Sequence, residues 1–261
     1  MAQKKQQNET TALAKAESVS IDVFMANKNI ETQGIFDVND NIKGVRGRIP
    51  TIQIIHKAEQ FKLQDGSKLD SFKGIILHHS PANAFWEAAY DSTGGGVPPD
   101  CSSSNGEKPN SGEKLQSKYC FDCPQNKFGT GKPDKDGKRK GKACKNMWRL
   151  HILIDEQQIP KRLTLPPSNT GALQDFLIYL RDINLPHELA ILEFSLVPTA
   201  SKTGIVYSMI SIKPIGVITD KNKALALKKV KQSFLEAFSE VIDIDEVEVH
   251  AVPSEEVGIK L

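Results

Sequence analysis

Four cysteines carry the clearest chemistry in the chain: Cys101, the pair in Tyr119-Cys120-Phe121-Asp122-Cys123-Pro124, and Cys144. One Cys-x-x-Cys turn flanked by two single cysteines is a metal-site arrangement. Such a turn can aim two thiolates at one ion, and a tetrahedral zinc takes four such ligands at about 2.3 Å. With all four positions filled by protein, no site stays open for water, so the expected Zn2+ is structural and not catalytic. The surrounding glycines and prolines, among them Gly106, Pro109, Gly112, Gly129, Gly131, Pro133, Gly137 and Gly141, mark loops with no apolar period to build a core. A structural zinc could supply on the order of 10 kcal/mol to hold such a stretch. The alternatives are two disulfides or four unrelated thiols. Disulfides need an oxidising compartment, and Met1 to Glu9 has no apolar stretch of the secretory kind, so the expected compartment is the cytoplasm.

The elements that must position these cysteines come from the rest of the 261 residues, which suffice for one large domain or two small ones. Hydrophobic residues make up 39% and charged residues 25%, and no apolar run reaches the roughly 18 residues of a membrane span. The net charge of +2 hides an asymmetry. From Cys101 to Arg149 twelve Lys or Arg face five Asp or Glu, a local excess of +7, whereas Glu236, Glu240, Asp243, Asp245, Glu246, Glu248, Glu255 and Glu256 make the C-terminal region acidic. An anionic partner is expected for the middle of the chain.

Residues 1–17 are polar and low in complexity and read as a disordered tail; Ile21 to Phe36 supports no firm assignment. Ile52 to His56, Phe61 to Leu63 and Phe72 to His79 read as consecutive antiparallel strands, with Ala84-Phe85-Trp86-Glu87 as an extension of the last beyond a kink at Pro81. After the cysteine region, Trp148 to Asp155 is a strand that puts Trp148, Leu150, Ile152 and Ile154 on one face and Arg149 and His151 on the other. Lys161 to Leu165 is the next strand. Ser168 or Asn169 can cap a helix carrying Leu173, Phe176, Leu177 and Leu180. Leu189 to Val197 and Ile205 to Ile212 read as a hairpin, and Ala224 to Val241 as an amphipathic helix with Leu227, Val230, Phe234, Phe238 and Val241 as its stripe. Asp243 to Val249 suits an edge strand or a docking segment.

With the cysteine insertion and the last helix set aside, the order from Phe72 is strand, strand, strand, helix, strand, strand. That is the order of an OB-fold, a small barrel that often binds oligonucleotides. The expected architecture is therefore mainly β with helices. It comprises N-terminal strands over 18–71 packing on the barrel, an OB-fold over 72–215 with a four-cysteine zinc insertion (94–147) between its first two strands, and a C-terminal helix and acidic segment over 216–261.

This arrangement resembles the zinc-bearing OB domain at the C-terminal end of the replication protein A large subunit, where a four-ligand zinc motif sits between the first two barrel strands. With the runs Gly94-Gly95-Gly96-Val97-Pro98-Pro99-Asp100-Cys101 and Gly141-Lys142-Ala143-Cys144-Lys145-Asn146-Met147-Trp148-Arg149, it is also similar to phage or mobile-element single-stranded DNA-binding proteins. The resemblance covers roughly Phe72 to Ile212. It implies a non-enzymatic, largely sequence-independent binder of single-stranded DNA in replication or recombination, in a bacterial or phage-infected cytoplasm, with RNA as the alternative strand.

Single-strand binding needs cations along the phosphates and aromatic faces for the bases. Lys138, Arg139, Lys140, Lys142, Lys145 and Arg149 are candidates for the first, and Trp86, Tyr90, Phe128 and Trp148 for the second. A lysine-rich glycine loop can equally be a solvated surface, and Trp148 shares a face with Leu150 and Ile152, which suits core packing. Of the aromatics, Trp86 is the better stacking candidate. Adjacent His78 and His79 would point to opposite faces of a strand, which favours structural or surface histidines over a second metal site. An enzyme is not expected. A zinc deaminase needs a His-x-Glu beside Pro-Cys-x-x-Cys, whereas here Pro124 follows the pair, and phosphate-loop and serine-elbow motifs are absent. The other reading is an adaptor that recruits replication or recombination proteins through its zinc module and acidic region. Acidic tails of bacterial single-strand binders recruit partners, and the last residues here, Gly258-Ile259-Lys260-Leu261, carry no acidic tip, which leaves partner recruitment open.

Overall fold

A computed structural model describes residues 49–56, 58–88, 98–110, 114–133, 137, 141–154, 159–200 and 206–239. The tail 1–17, Ile21 to Phe36, the glycine run 94–96 and Asp243 to Val249 lie outside the described residues.

Alternation of apolar and polar residues at Thr51–Ile55 (β1) and Gln60–Leu63 (β2) makes two short half-buried strands, and Lys68–Leu69 (β3) completes an antiparallel meander. Ser71–Phe85 (β4) has a continuous apolar run through Ile75, Ile76 and Leu77, and such a run needs cover on both faces. It is the spine of the sheet. Along one edge it pairs with Lys145–Ile154 (β6); along the other it pairs with Ala190–Ala200 (β8) at Ser71 to Gly74 and with Cys101–Ser103 (β5) at Asn83 to Phe85. Gly74 lies where the strands press closest, since a Cβ there would sit 2.6 Å from Ile152 Cγ2 and 2.9 Å from the Leu153 carbonyl oxygen.

Lys161–Leu165 (β7) pairs with β6, and Val206–Val217 (β9) pairs with β8 as the expected hairpin. The order across the sheet is β3-β2-β1-β7-β6-β4-β8-β9, with β5 on β4. Two departures from the sequence reading follow. The strand beginning at Phe72 does not continue the meander but pairs with β6 and β8. The N-terminal strands join the same sheet through β1 and β7, its one parallel pairing among the described strands.

Register shifts between Ile76 and His78 in β4 and between Ile191 and Leu192 in β8 bend these strands, and the sheet curls into a half-barrel. The curl returns β9 to β1: the Ser208 hydroxyl donates to the His56 carbonyl oxygen at 2.9 Å, and the Ser208 amide to His56 Nδ1 at 3.2 Å. Inside lie Phe61, Phe72, Leu150, Ile152, Leu163, Leu192 and Phe194, with Phe72 stacked on Phe194 at 4.8 Å. Helix Thr170–Asp182 (α1) adds Leu173, Phe176 and Leu180 to this core, as its spacing predicts. Asn169 stands at the cap position, but its side chain does not cap. Its Oδ1 accepts the Ile210 amide of β9 at 2.8 Å in a fully buried site, so it ties helix to sheet.

The second helix, Lys221–Ser239 (α2), covers the other face of the spine, where Leu227 joins Ile75, Leu77, Leu153, Ile191 and Ile218. Phe234 of the same stripe packs against the His151 ring at 5.0 Å. Among the described residues, no helix is long and apolar enough to cross a membrane.

Candidate metal centre and nucleic-acid interface

The cysteine region hangs from the far ends of β4 and β6. Its first strand, β5, sets Cys101 opposite Phe85. Side chains then replace a core as the organising force. Asn105 Oδ1 accepts the amides of Glu107 and Lys108, Asn110 Oδ1 accepts the Ser104 amide and hydroxyl, and the buried Ser103 hydroxyl donates to the Lys108 carbonyl oxygen. Short polar side chains bonding to nearby backbone are the standard stabilisers of irregular loops.

Three asparagines connect this loop system to the sheet. Asn146 of β6 donates through Nδ2 to Asn83 Oδ1 of β4 at 2.7 Å and to Asn126 Oδ1 at 3.0 Å; Asn126 in turn donates to the Cys120 carbonyl oxygen at 2.8 Å. The Cys-x-x-Cys turn is fixed further by backbone bonds from the Cys120 amide to the Glu107 carbonyl oxygen and from the Cys144 amide to the Gln125 carbonyl oxygen, both 2.8 Å.

All four cysteines are free thiols and line one small cavity of about 20 Å³, together with Asn83, Phe85 and Tyr119. Cys120, Cys123 and Cys144 are buried, and Cys101 is half-buried. Burial, reinforced by the neighbouring Cys123, Cys120 and Cys101, pushes the Cys144 thiol up to about 12; burial also raises Cys101. Cys101 and Cys144 therefore resist ionisation in this environment. Among the described residues no three His, Cys, Asp or Glu side chains are gathered tightly enough to count as a formed metal site. The donor set is nonetheless four sulfurs with no carboxylate, which is the chemistry of a structural zinc.

The remaining candidate contacts separate into different environments. Phe128 is 81% exposed on the loop after the cysteine pair, and Lys142 Nζ lies 5.1 Å from its ring centroid while donating to Asn126 Oδ1 at 3.2 Å. Lys145 is partly buried, and that burial, followed by the charge of Lys132, lowers its ammonium pKa. Trp86 is half-buried against Ala82, Ala84 and Met147, and Trp148 packs on the main core with its ring 5.4 Å from His79. Arg149 corrects the sequence reading: it does point away from Trp148, but that face is covered too, and at 2% exposure its guanidinium is no surface cation. Tyr90, Lys138, Arg139 and Lys140 lie outside the described residues.

His78 and His79 point to opposite sides, as expected of a strand. His78 meets His151, and His79 meets His187 at 4.9 Å between ring centroids. Sequence reasoning passed over two residues that the fold makes prominent: Tyr119 and Phe121, which flank Cys120, stack on each other at 5.5 Å. Lys108 and Lys118 hold their ammonium groups 5.7 and 5.5 Å from the Tyr119 ring. The signal lies in the Tyr-Cys-Phe run itself, where two aromatic residues flank one cysteine.

Compared with protein-family models, curated proteins and solved structures, the chain matches none.

Proposed function

We propose that this chain is a largely sequence-independent single-stranded DNA-binding protein, built on an OB-type barrel and serving replication or recombination of a phage or mobile element. The observation that carries the reading is the placement of the cysteine region. It leaves β4 and returns in β6, and β4, β6, β7, α1, β8 and β9 follow the chain order of an OB-fold. The pairings β4–β6, β6–β7, β4–β8 and β8–β9 are those the fold requires. The departure is at the closing seam, where β7 pairs with β1 instead of β9.

In this reading Cys101, Cys120, Cys123 and Cys144 hold a structural zinc that fixes the insertion. Zinc supplies positive charge that lets the buried thiols ionise, and with four sulfur ligands it leaves no place for a substrate. The insertion carries the excess of lysines and the exposed aromatic rings that phosphates and bases require.

Fluorescence anisotropy with labelled oligo-dT, its duplex and the matching RNA, at two salt concentrations and with or without chelator, tests the proposal. Binding to oligo-dT in the micromolar range or tighter, weakening steeply with salt and exceeding duplex binding, is expected. No oligonucleotide binding at low salt overturns it.

A further inference from the structure

We infer that Tyr119 and Phe121 form a base-stacking platform for single-stranded DNA, with Lys108 and Lys118 as its phosphate clamps. The inference rests on the single-strand-binding reading and assigns that function to residues outside the initial set of candidates.

The two rings lie 5.5 Å apart at an interplanar angle of 29°, so they form an offset stack. Tyr119 is the inner member, half-buried on the wall of the cysteine cavity; Phe121 is the outer member and is 72% exposed. An isolated exposed phenylalanine needs no explanation. Here the exposed ring is backed by a second ring and accompanied by two ammonium groups within 6 Å of the inner one, at 5.7 Å for Lys108 and 5.5 Å for Lys118. A lysine also lies over the exposed Phe128 ring, where Lys142 Nζ is 5.1 Å from the centroid. Hydrophobic docking of a protein would favour an apolar surround, whereas rings bordered by ammonium groups suit an occupant that alternates flat bases with anionic phosphates. The excess of +7 over Cys101 to Arg149 favours the same occupant, although Glu107 and Asp122 stand nearby as acids.

The platform is also anchored where it must be. Between the two rings, the buried Cys120 donates its amide to the Glu107 carbonyl oxygen at 2.8 Å and accepts the Asn126 side chain at 2.8 Å. The backbone that presents the rings is thus held at both of its polar groups, so stacking costs little further ordering.

The test uses the full chain with Phe121→Ala, Phe121→Tyr and Lys118→Ala, probed with oligo-dT and with an abasic deoxyribose-phosphate strand of equal length. Phe121→Ala should weaken oligo-dT binding about 5- to 150-fold. Abasic binding and thermal stability should hold, and Phe121→Tyr should restore affinity. Lys118→Ala should weaken both probes and reduce the salt slope by about 0.7. Photocrosslinking of wild-type protein to iododeoxyuridine oligonucleotides should place adducts on the peptide carrying Tyr119 and Phe121, a readout independent of variant folding. If wild-type protein binds oligo-dT while Phe121→Ala binds equally well, or if adducts form only elsewhere, the platform is overturned and the single-strand-binding reading stands. If wild-type protein binds no single strand, both fall. Capture of an acidic peptide instead, lost in Phe121→Ala, would assign the rings to a protein partner and overturn the inference.

Discussion

His78 of β4 and His151 of β6 face each other across the sheet with their Nδ1 atoms 3.3 Å apart, so the contact needs a proton on one nitrogen and a lone pair on the other. Double protonation would put two positive rings against each other under α2. Lys231 of that helix lies close enough to lower His78, His79 and His187, and its ammonium bonds to Glu188 at 2.6 Å.

Acid should therefore loosen the fold. Burial is the first cause of the lowered pKa of His78, His79 and His187, so the native state refuses protons that the unfolded chain accepts below about 6.5. Their contribution is complete above that pH and is lost as pH falls towards the lowered native values. Glu188 adds a loss at lower pH. Burial, the largest single influence, raises its pKa, but the Lys231 bond, a backbone hydrogen bond and the charges of His187 and Lys231 together leave the carboxyl below its usual value of 4.5, so its contribution is lost only as pH falls below that. The limiting slope is about 1.4 kcal/mol per pH unit per group, reduced here because the rings are partly exposed. Thermal melts should show Tm falling between about pH 7.5 and pH 5.5, with a shallower fall in His78→Asn. A flat profile would count against the buried-neutral assignment.

Metal removal should act locally and then on binding. The purified chain is expected to carry one zinc, and Cys120→Ser to lose metal, order in the loops between β5 and β6, and oligonucleotide affinity together. Metal analysis and anisotropy on the same sample decide it, and full affinity in a metal-free variant would break the link between zinc and binding.

Asn169→Ala should destabilise the fold without touching binding. It leaves the Ile210 amide without its 2.8 Å acceptor in a site where Asn169 itself is fully buried. A cost of about 1–3 kcal/mol is expected, read as a lower denaturant midpoint. Unchanged stability would show that another acceptor reaches that amide.

Arg149 and Lys142 should behave oppositely. Arg149 is buried, so Arg149→Met should change stability and leave the salt dependence of binding as it was. Lys142, poised over the exposed Phe128 ring, should in Lys142→Ala weaken oligonucleotide binding and reduce the salt slope by about 0.7. A reduced slope in Arg149→Met would mean that this face opens on binding.

Much of the local structure could be read directly. Phe72 to His79 within β4 is legible as an apolar run, though its unbroken passage through Pro81 to Phe85 is not. The β8–β9 hairpin and α1 with its Leu173, Phe176 and Leu180 stripe follow from periods of two and 3.6, which are set by backbone geometry within each element. The cysteine spacing suggests one shared metal site; the four thiols line one cavity, but among the described residues they are not drawn together into a formed metal group.

What the sequence by itself determined was therefore the identity of its chemical groups and the face each takes within its own strand or helix. Tertiary structure alone decided what covers those faces. It joined β1 to β7 in parallel, brought Ser208 to His56 across 152 residues of chain, and turned the Asn169 side chain from a helix cap to β9. It also buried Arg149 and left Phe121 exposed beside Tyr119. Alternation tells two faces apart but not which of them meets water, because burial depends on surfaces brought together from distant parts of the chain.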